Sequence, residues 1–229
     1  NHFSKLIFPY IMITVPNQKI SKGIKYKFTQ EICGDHIIDG RCLVPATGSI
    51  VSVWEVYSKL KNQNQIPVKF SNINIHRALI FDSEDDIEVE IDIDLSTGNF
   101  RITTIDQELV SSGIIQEMTS NEQDKFNLIS KVGSESIRNN FFGKNDYYQL
   151  LRSAGYQYGS KYQCLEQIKL DGSEGQISFD NYFSFLDTML QATLSISDFS
   201  YGELKLPTKI NSLMLSGQSL YKDNKNINF

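Results

Sequence analysis

Two short motifs, far apart in the chain, hold the side chains that could do chemistry. In Gly34-Asp35-His36-Ile37-Ile38-Asp39-Gly40-Arg41-Cys42-Leu43-Val44-Pro45, the residues His36, Gly40 and Pro45 form H-x-x-x-G-x-x-x-x-P. Downstream, Asp187-Thr188-Met189-Leu190-Gln191 forms D-x-x-x-Q inside an apolar pattern. Histidine titrates near neutral pH and can take a proton from carbon. A carboxyl can give one back where burial favours its neutral form, and Leu186, Met189 and Leu190 offer such surroundings. One base and one acid suit an elimination in which a C–H proton is removed while a hydroxyl leaves as water.

The neighbours of these two residues have assignable tasks. Gln191 follows Asp187 by one helical turn, on the same face, and can hydrogen-bond the Asp187 carboxyl or the leaving hydroxyl. Gly40 has no Cβ, so its backbone N–H can come close to an oxygen that gains negative charge. Pro45 stiffens the turn into a helix whose N-terminus adds positive partial charge.

Elements that would position these groups can be read from periodicity. Ile24, Tyr26 and Phe28 alternate with lysines in a strand predicted over 23–33, and the motif loop covers 34–45. Ile50, Val53, Trp54, Tyr57 and Leu60 make one stripe of a helix over 46–61, with Thr47 as its N-cap. Strands are predicted near 69–81, 86–95, 99–105 and 109–118. In 86–94 the carboxylates alternate with Ile and Val, which puts them on one face of a half-solvated strand rather than in a calcium loop. The polar stretch 120–140 is read as a linker. Beyond it come a short helix over 145–154 ended by Gly155, strands at 160–170 and 175–179, a helix over 181–196 and a strand at 212–221.

The pattern predicts an α+β chain of two helix-in-antiparallel-sheet units: 1–119, a linker over 120–140, and 141–229. The second unit has fewer strands and is expected to be incomplete. The chain starts at Asn1 rather than Met, which predicts a piece of a longer polypeptide.

Composition narrows the function classes. The net charge is -5 and no run of Lys and Arg makes a basic face, which argues against nucleic acid. The stretch Leu6 to Val15 contains Pro9 and is too short for a membrane span, so no membrane partner is expected. Cys33, Cys42 and Cys164 are odd in number and lack C-x-x-C spacing, so neither zinc, another metal nor a disulfide framework is expected, and a reducing cytoplasm fits.

The motifs resemble dehydratase domains of fatty acid synthases and polyketide synthases. Pro45-Ala46-Thr47-Gly48 looks like the animal (vertebrate or insect) fatty acid synthase form. Gly155-Tyr156-Gln157-Tyr158-Gly159-Ser160-Lys161-Tyr162-Gln163 is similar to the family's G-Y-x-Y-G-P-x-F-Q element, with Ser160 for proline and Tyr162 for phenylalanine. Leu206-Pro207-Thr208-Lys209-Ile210 resembles a later element, so four elements follow in family order over about 34–210.

The resemblance implies a double hotdog fold with the site between its two units. It also implies a hydro-lyase that removes water from (3R)-3-hydroxyacyl chains on acyl carrier protein to give trans-2-enoyl products. His36 would be the base, Asp187 the acid and Gln191 its aid. Gly40, Val44, Pro45, Tyr158 and Gly159 would contact substrate or line the site, with the Val44 carbonyl accepting the second ring N–H of His36 and the Tyr158 hydroxyl a partner of His36. No cofactor is expected in this domain; the substrate arrives on phosphopantetheine, and NADPH serves other domains of the synthase. Expected partners are the acyl carrier protein and the other domains of a cytoplasmic, homodimeric parent synthase.

Other readings stay open. His36 alone would read as a satisfied loop histidine, and Asp187 alone as a surface residue. The chain could also be a non-catalytic hotdog module of a megasynthase, or a polyketide synthase dehydratase or product-template domain. Asp35 and Asp39 are assigned no catalytic role, and Cys42 reads as a small core residue.

Overall fold

The carboxylate-rich stretch is strand. Val89, Ile91 and Ile93 are fully buried, while the acidic residues between them have protein partners on the other face. Glu88 pairs with Lys25 at 2.6 Å, Glu90 accepts from Gln107 at 3.0 Å, and Asp92 accepts the Gly23 N–H at 2.7 Å. The structure, a computed structural model, describes residues 5–8, 11–14, 20–129, 141–169, 172–194, 204–217 and 226–228.

The first half contains β1 (Lys5–Phe8), β2 (Ile11–Thr14), β3 (Ile20–Phe28), α1 (Gln30–Cys33), β4 (Ile37–Ile38), β5 (Arg41–Cys42) and α2 (Ala46–Leu60). Then come β6 (Val68–Ile75), β7 (Ile87–Asp94), β8 (Asn99–Thr104), β9 (Leu109–Glu117) and α3 (Ser120–Ile129). The second half has β10 (Phe141–Gly143), α4 (Lys144–Ser153), a 3₁₀ turn (Ser160–Tyr162), β11 (Leu165–Lys169), β12 (Gly175–Ser178), α5 (Tyr182–Ala192), β13 (Lys209–Leu215) and β14 (Asn226–Asn228).

Two antiparallel sheets organise the described residues. One has eight strands in the order β1-β2-β3-β7-β8-β9-β6-β13, the other four in the order β10-β11-β12-β14. Helix α2 packs along the first sheet. Glu55 accepts from the Tyr26 hydroxyl at 3.2 Å, and Lys61, just past the helix, pairs with Glu117 of β9 at 2.9 Å. Helix α5 packs on β11 and β12. The two helices meet directly, with the Trp54 and Tyr182 rings edge to face at 4.8 Å, and one apolar cluster runs through both units. The fold is thus α+β, two helix-and-sheet units side by side.

Several expectations shift. The strand predicted to reach 33 ends at Phe28, because Thr29 caps α1 by accepting the Ile32 N–H. Thr47 is not the cap of α2; Pro45 occupies that position in extended conformation, and the Thr47 hydroxyl reaches the Phe183 carbonyl at 3.5 Å. The stretch read as a linker holds α3. Its start is a reciprocal box: Thr119 Oγ1 accepts the Glu122 N–H, and Glu122 accepts the Thr119 N–H. Residues 130–140 lie outside the described residues.

In the second half, α4 ends as its sequence predicts. Gly155 has φ +97°, its N–H donates to the Arg152 carbonyl, and the Tyr156 N–H donates to Leu151, a Schellman ending. The strand expected from 160 starts instead as a 3₁₀ turn, and residue 170 is outside the described residues. Helix α5 begins after Asn181, whose side chain accepts the Ser184 N–H, and ends at Ala192; 195–196 lie outside the described residues. The last predicted strand is β13, which starts at Lys209 and pairs with β6 of the first sheet; 218–221 lie outside the described residues. The 120–140 stretch therefore does not divide the two sheets cleanly, since the second half supplies a strand to the first sheet.

Candidate active site

His36 is fixed by the chain on both sides of it. Its N–H donates to the Cys33 carbonyl at the end of α1, and its carbonyl accepts the Leu43 N–H. Between them β4 and β5 form a two-residue hairpin in which Asp39 (φ 51°) and Gly40 (φ 69°) both take positive φ. An Asp-Gly pair suits such a turn. The hairpin register sets Ile37 opposite Cys42 and brings the Leu43 carbonyl back to the ring, where it lies 2.9 Å from Nδ1. A carbonyl only accepts, so Nδ1 carries the hydrogen and neutral His36 presents the lone pair of Nε2.

That lone pair faces Asp187. Nε2 lies 3.5 Å from Oδ1, and both side chains are almost wholly buried. The other carboxylate oxygen, Oδ2, accepts Nε2–H of Gln191 at 2.9 Å. Gln191 Nε2 also donates to the Tyr162 carbonyl at 3.0 Å, while its Oε1 accepts from the Tyr148 hydroxyl at 2.9 Å. The two rings on His36 are Tyr158, tilted at 5.3 Å, and Tyr162, edge-on at 5.1 Å.

The G-Y-x-Y-G segment is stitched beside the hairpin. Asp39 N–H donates to the Gly155 carbonyl, Gln157 N–H to Ile37, and Gly159 N–H to Asp35. The Asp35 carboxylate accepts the Lys161 N–H at 2.9 Å and the Ser160 hydroxyl at 3.3 Å. A Cβ on Gly159 would fall 2.4 Å from the Asp35 carboxyl carbon, which is why that position has no side chain. Ser160 thus anchors the turn by a side-chain hydrogen bond that a proline could not make.

Both His36 and Asp187 line a cavity of about 360 Å³. Its buried end is His36, Asp187 and Gln191; its exposed end is formed by residues 76–78 after β6 and by 205–208. The second group is pinned by Tyr156, whose hydroxyl donates to the Lys205 carbonyl and accepts the Lys205 N–H, and by Thr208, whose carbonyl accepts from Ile75. His76, Arg77 and Lys205 all lie on this outer part, with Arg77 paired to Glu108.

The structure places the expected site residues unequally. His36, Asp187, Gln191, Val44, Pro45 and Tyr158 line the cavity. Val44 does not hold His36: Leu43 does, and the Val44 N–H turns to the Leu79 carbonyl. Gly40 and Gly159 are not in the lining. Gly40 is exposed at the hairpin tip, its N–H donated to Gln157 Oε1 at 2.7 Å, so its φ rather than an approach to an oxyanion accounts for the glycine. Tyr158 packs on His36 by its ring, since Nδ1 is held by Leu43 and Nε2 faces Asp187. Burial, then the Asp187 carboxylate, push the Tyr158 hydroxyl well above the ordinary tyrosine range and keep it protonated. Met189 turns outward and is 39% exposed, so it gives Asp187 little shelter.

Sequence reasoning missed Leu43, Tyr148, Tyr162 and Asp35. Hairpin register selects Leu43. Tyr148 lies on α4 and Tyr162 in the 3₁₀ turn, and no spacing rule ties either to Gln191. Cys33 is not a nucleophile in reserve: burial pushes its thiol up to about 12.

No family model matches the chain. Solved structures do. The dehydratase domain from the CurJ module of curacin polyketide synthase superposes with a TM-score of 0.69 and 14% identity, covering 94% of this chain and 80% of that one. The CurF-module dehydratase domain gives 0.68 and 18%, over 92% and 83%. A trans-AT polyketide synthase dehydratase domain from Brevibacillus brevis gives 0.64 and 15%, over 91% and 81%. The fold is that of polyketide synthase dehydratase domains. This is the α+β hotdog fold expected from the sequence; at such identities the likeness speaks for the fold alone.

Proposed function

We propose that this chain is the dehydratase domain of a multidomain synthase, removing water from a (3R)-3-hydroxyacyl thioester carried on acyl carrier protein to give the trans-2-enoyl thioester. The observation that carries the reading is the 3.5 Å approach of His36 Nε2 to Asp187 Oδ1 at the buried end of one cavity. Two neighbours of like fold, the CurJ and CurK dehydratases, are inactive as His-to-Phe mutants, and CurK also as an Asp-to-Asn mutant. In this chain one histidine and one aspartate face each other.

The proton inventory balances on these two residues. His36 Nε2 takes the C2 proton as the C2=C3 bond forms. The C3–O bond breaks with its electrons on oxygen, and the Asp187 proton completes the departing water. Gln191 occupies Oδ2, so the proton to be given sits on Oδ1, on the side of His36. C2 and the 3-hydroxyl oxygen are two bonds apart, so a substrate lying alongside the pair touches both. The cycle leaves imidazolium beside carboxylate, and transfer from Nε2 back to Oδ1 restores the start. Nothing in this balance calls for a cofactor.

The N-terminal turn of α2 is the donor proposed for the thioester oxygen in place of Gly40. Pro45, Ala46 and Ser49 line the cavity, and Pro45 provides no side-chain cap for the first N–H groups. His76, Arg77 and Lys205 at the exposed end suit an incoming anionic phosphopantetheine arm. The other partners proposed are the remaining domains of a homodimeric, cytoplasmic synthase. Pro45-Ala46-Thr47-Gly48 favours the animal fatty acid synthase form over a polyketide one. The test is hydration of crotonyl-pantetheine, the reverse reaction, followed by loss of enoyl absorbance. Turnover by the intact chain, lost in His36→Ala, is expected; no turnover would overturn the reading.

A further inference from the structure

Four groups from three elements form a directional chain that ends on the proposed acid. The Leu165 N–H of β11 donates to the Tyr148 oxygen at 3.0 Å. The Tyr148 hydroxyl, on α4, donates to Gln191 Oε1 at 2.9 Å. Gln191 Nε2, on α5, donates to Asp187 Oδ2 at 2.9 Å. Tyr148 is also 3.3 Å from the Tyr162 carbonyl, but its single hydrogen goes to the shorter contact. Leu165, Tyr148, Gln191 and Asp187 are all buried, which strengthens each bond in the series.

An amide can present either end to a neighbour, and here its two ends have opposite consequences. With Oε1 tied to Tyr148, the NH₂ end must face Asp187 and the Tyr162 carbonyl. With the ends exchanged, Oε1 would face an oxygen acceptor on each side and the NH₂ would face the Tyr148 hydroxyl. The orientation of Gln191 in turn decides which Asp187 oxygen is occupied. Oδ2 receives the amide hydrogen, leaving Oδ1, beside His36, to hold the proton.

We infer that Tyr148 is a positioning residue: by donating to Gln191 it fixes the amide so that the transferable proton of Asp187 sits on the oxygen facing His36. Burial supports this role, because it pushes the Tyr148 hydroxyl well above the ordinary tyrosine range and keeps it a donor. The adjacent Tyr147 is an internal contrast. Its hydroxyl donates to the Gln191 backbone carbonyl at 2.6 Å and does not touch the side-chain amide.

The inference rests on the dehydratase reading for its consequence in catalysis, so it is tested by two measurements. In the first, Tyr148→Phe, Gln191→Ala and the double variant are compared in crotonyl-pantetheine hydration. Tyr148→Phe should lower kcat by about three- to tenfold with KM unchanged, the scale of one neutral hydrogen bond. In the Gln191→Ala background it should change kcat by less than about twofold, because its effect runs through that amide. Tyr147→Phe should retain wild-type kcat. Effects of Tyr148→Phe and Gln191→Ala that multiply, or a Tyr148→Phe kcat equal to wild type, would overturn the proposal.

The second measurement uses no substrate. Exchange of the Gln191 side-chain NH₂ hydrogens, followed by NMR, should be slow in the wild type and at least tenfold faster in Tyr148→Phe. Fast exchange in the wild type, or unchanged slow exchange in the variant, overturns the positioning role. Because this readout does not depend on turnover, an inactive wild type defeats the dehydratase reading while the amide data still decide the role of Tyr148.

Discussion

Asp35 accepts the backbone N–H of Lys161 at 2.9 Å, and with that bond the loop that carries His36 is tied to the segment that packs Tyr158 and Tyr162 against it. The carboxylate sits where a Gly159 side chain would have been, and takes the Ser160 hydroxyl as well. Asp35→Ala should therefore act at both ends. A half-buried, charge-assisted pair of bonds is lost, at roughly 1.5–3 kcal/mol, and the melting temperature should fall. With Tyr158 and Tyr162 less restrained, kcat should fall too. An Asp35→Ala protein that melts like wild type would show that the bond contributes nothing.

His36→Ala should abolish hydration of crotonyl thioesters while the fold persists. Loss of a general base typically costs on the order of 10²–10⁴ in rate. Activity near wild type, measured on protein with an unchanged circular dichroism spectrum, would assign the C2 proton to another group.

Asp187→Asn keeps the shape of the carboxyl but has no proton to give, so its kcat should be near background with substrate binding retained. Gln191→Ala removes one orienting bond to Asp187, worth roughly 0.5–1.5 kcal/mol in the barrier. It also strips partners from Tyr148 and the Tyr162 carbonyl, so some loss of thermal stability should accompany it. The division of roles fails if, in folded protein, the two variants lose kcat equally.

Acid should loosen the start of α3. The Thr119 N–H, then the Lys69 ammonium and the Thr119 hydroxyl, hold the Glu122 carboxyl down at about 2, from an ordinary 4.5. A folded value below the unfolded one means stability that is whole above about 4.5 and lost as pH falls through about 2. Melting temperatures recorded between those pH values should decline less steeply for Glu122→Gln than for wild type. Parallel declines would place the acid sensitivity elsewhere.

Arg77→Ala should raise KM for a phosphopantetheine thioester and leave KM for the same thioester on unphosphorylated pantetheine unchanged. Equal KM changes for both would mean that Arg77 shapes the cavity rather than receives the phosphate.

By itself, the sequence determined what is local or periodic. The stripe Ile50–Trp54–Tyr57 placed α2, alternation placed β7, and Gly155 marked the end of α4, because each depends on side chains a few residues apart. It also named His36, Asp187 and Gln191, since the i, i+4 relation of the last two is fixed by the helix alone. Local signals of the same kind lie in Thr119 with Glu122 and in the Asp39-Gly40 turn. Only the tertiary structure could decide the rest. That Leu43 rather than Val44 holds the His36 ring follows from hairpin register, where a one-residue change turns each carbonyl to the other side. That β13 joins the first sheet, and that Tyr148 and Tyr162 converge on Gln191, follow from packing between segments far apart in sequence. Such contacts are selected by the burial of the whole core, and no short spacing in the chain encodes them.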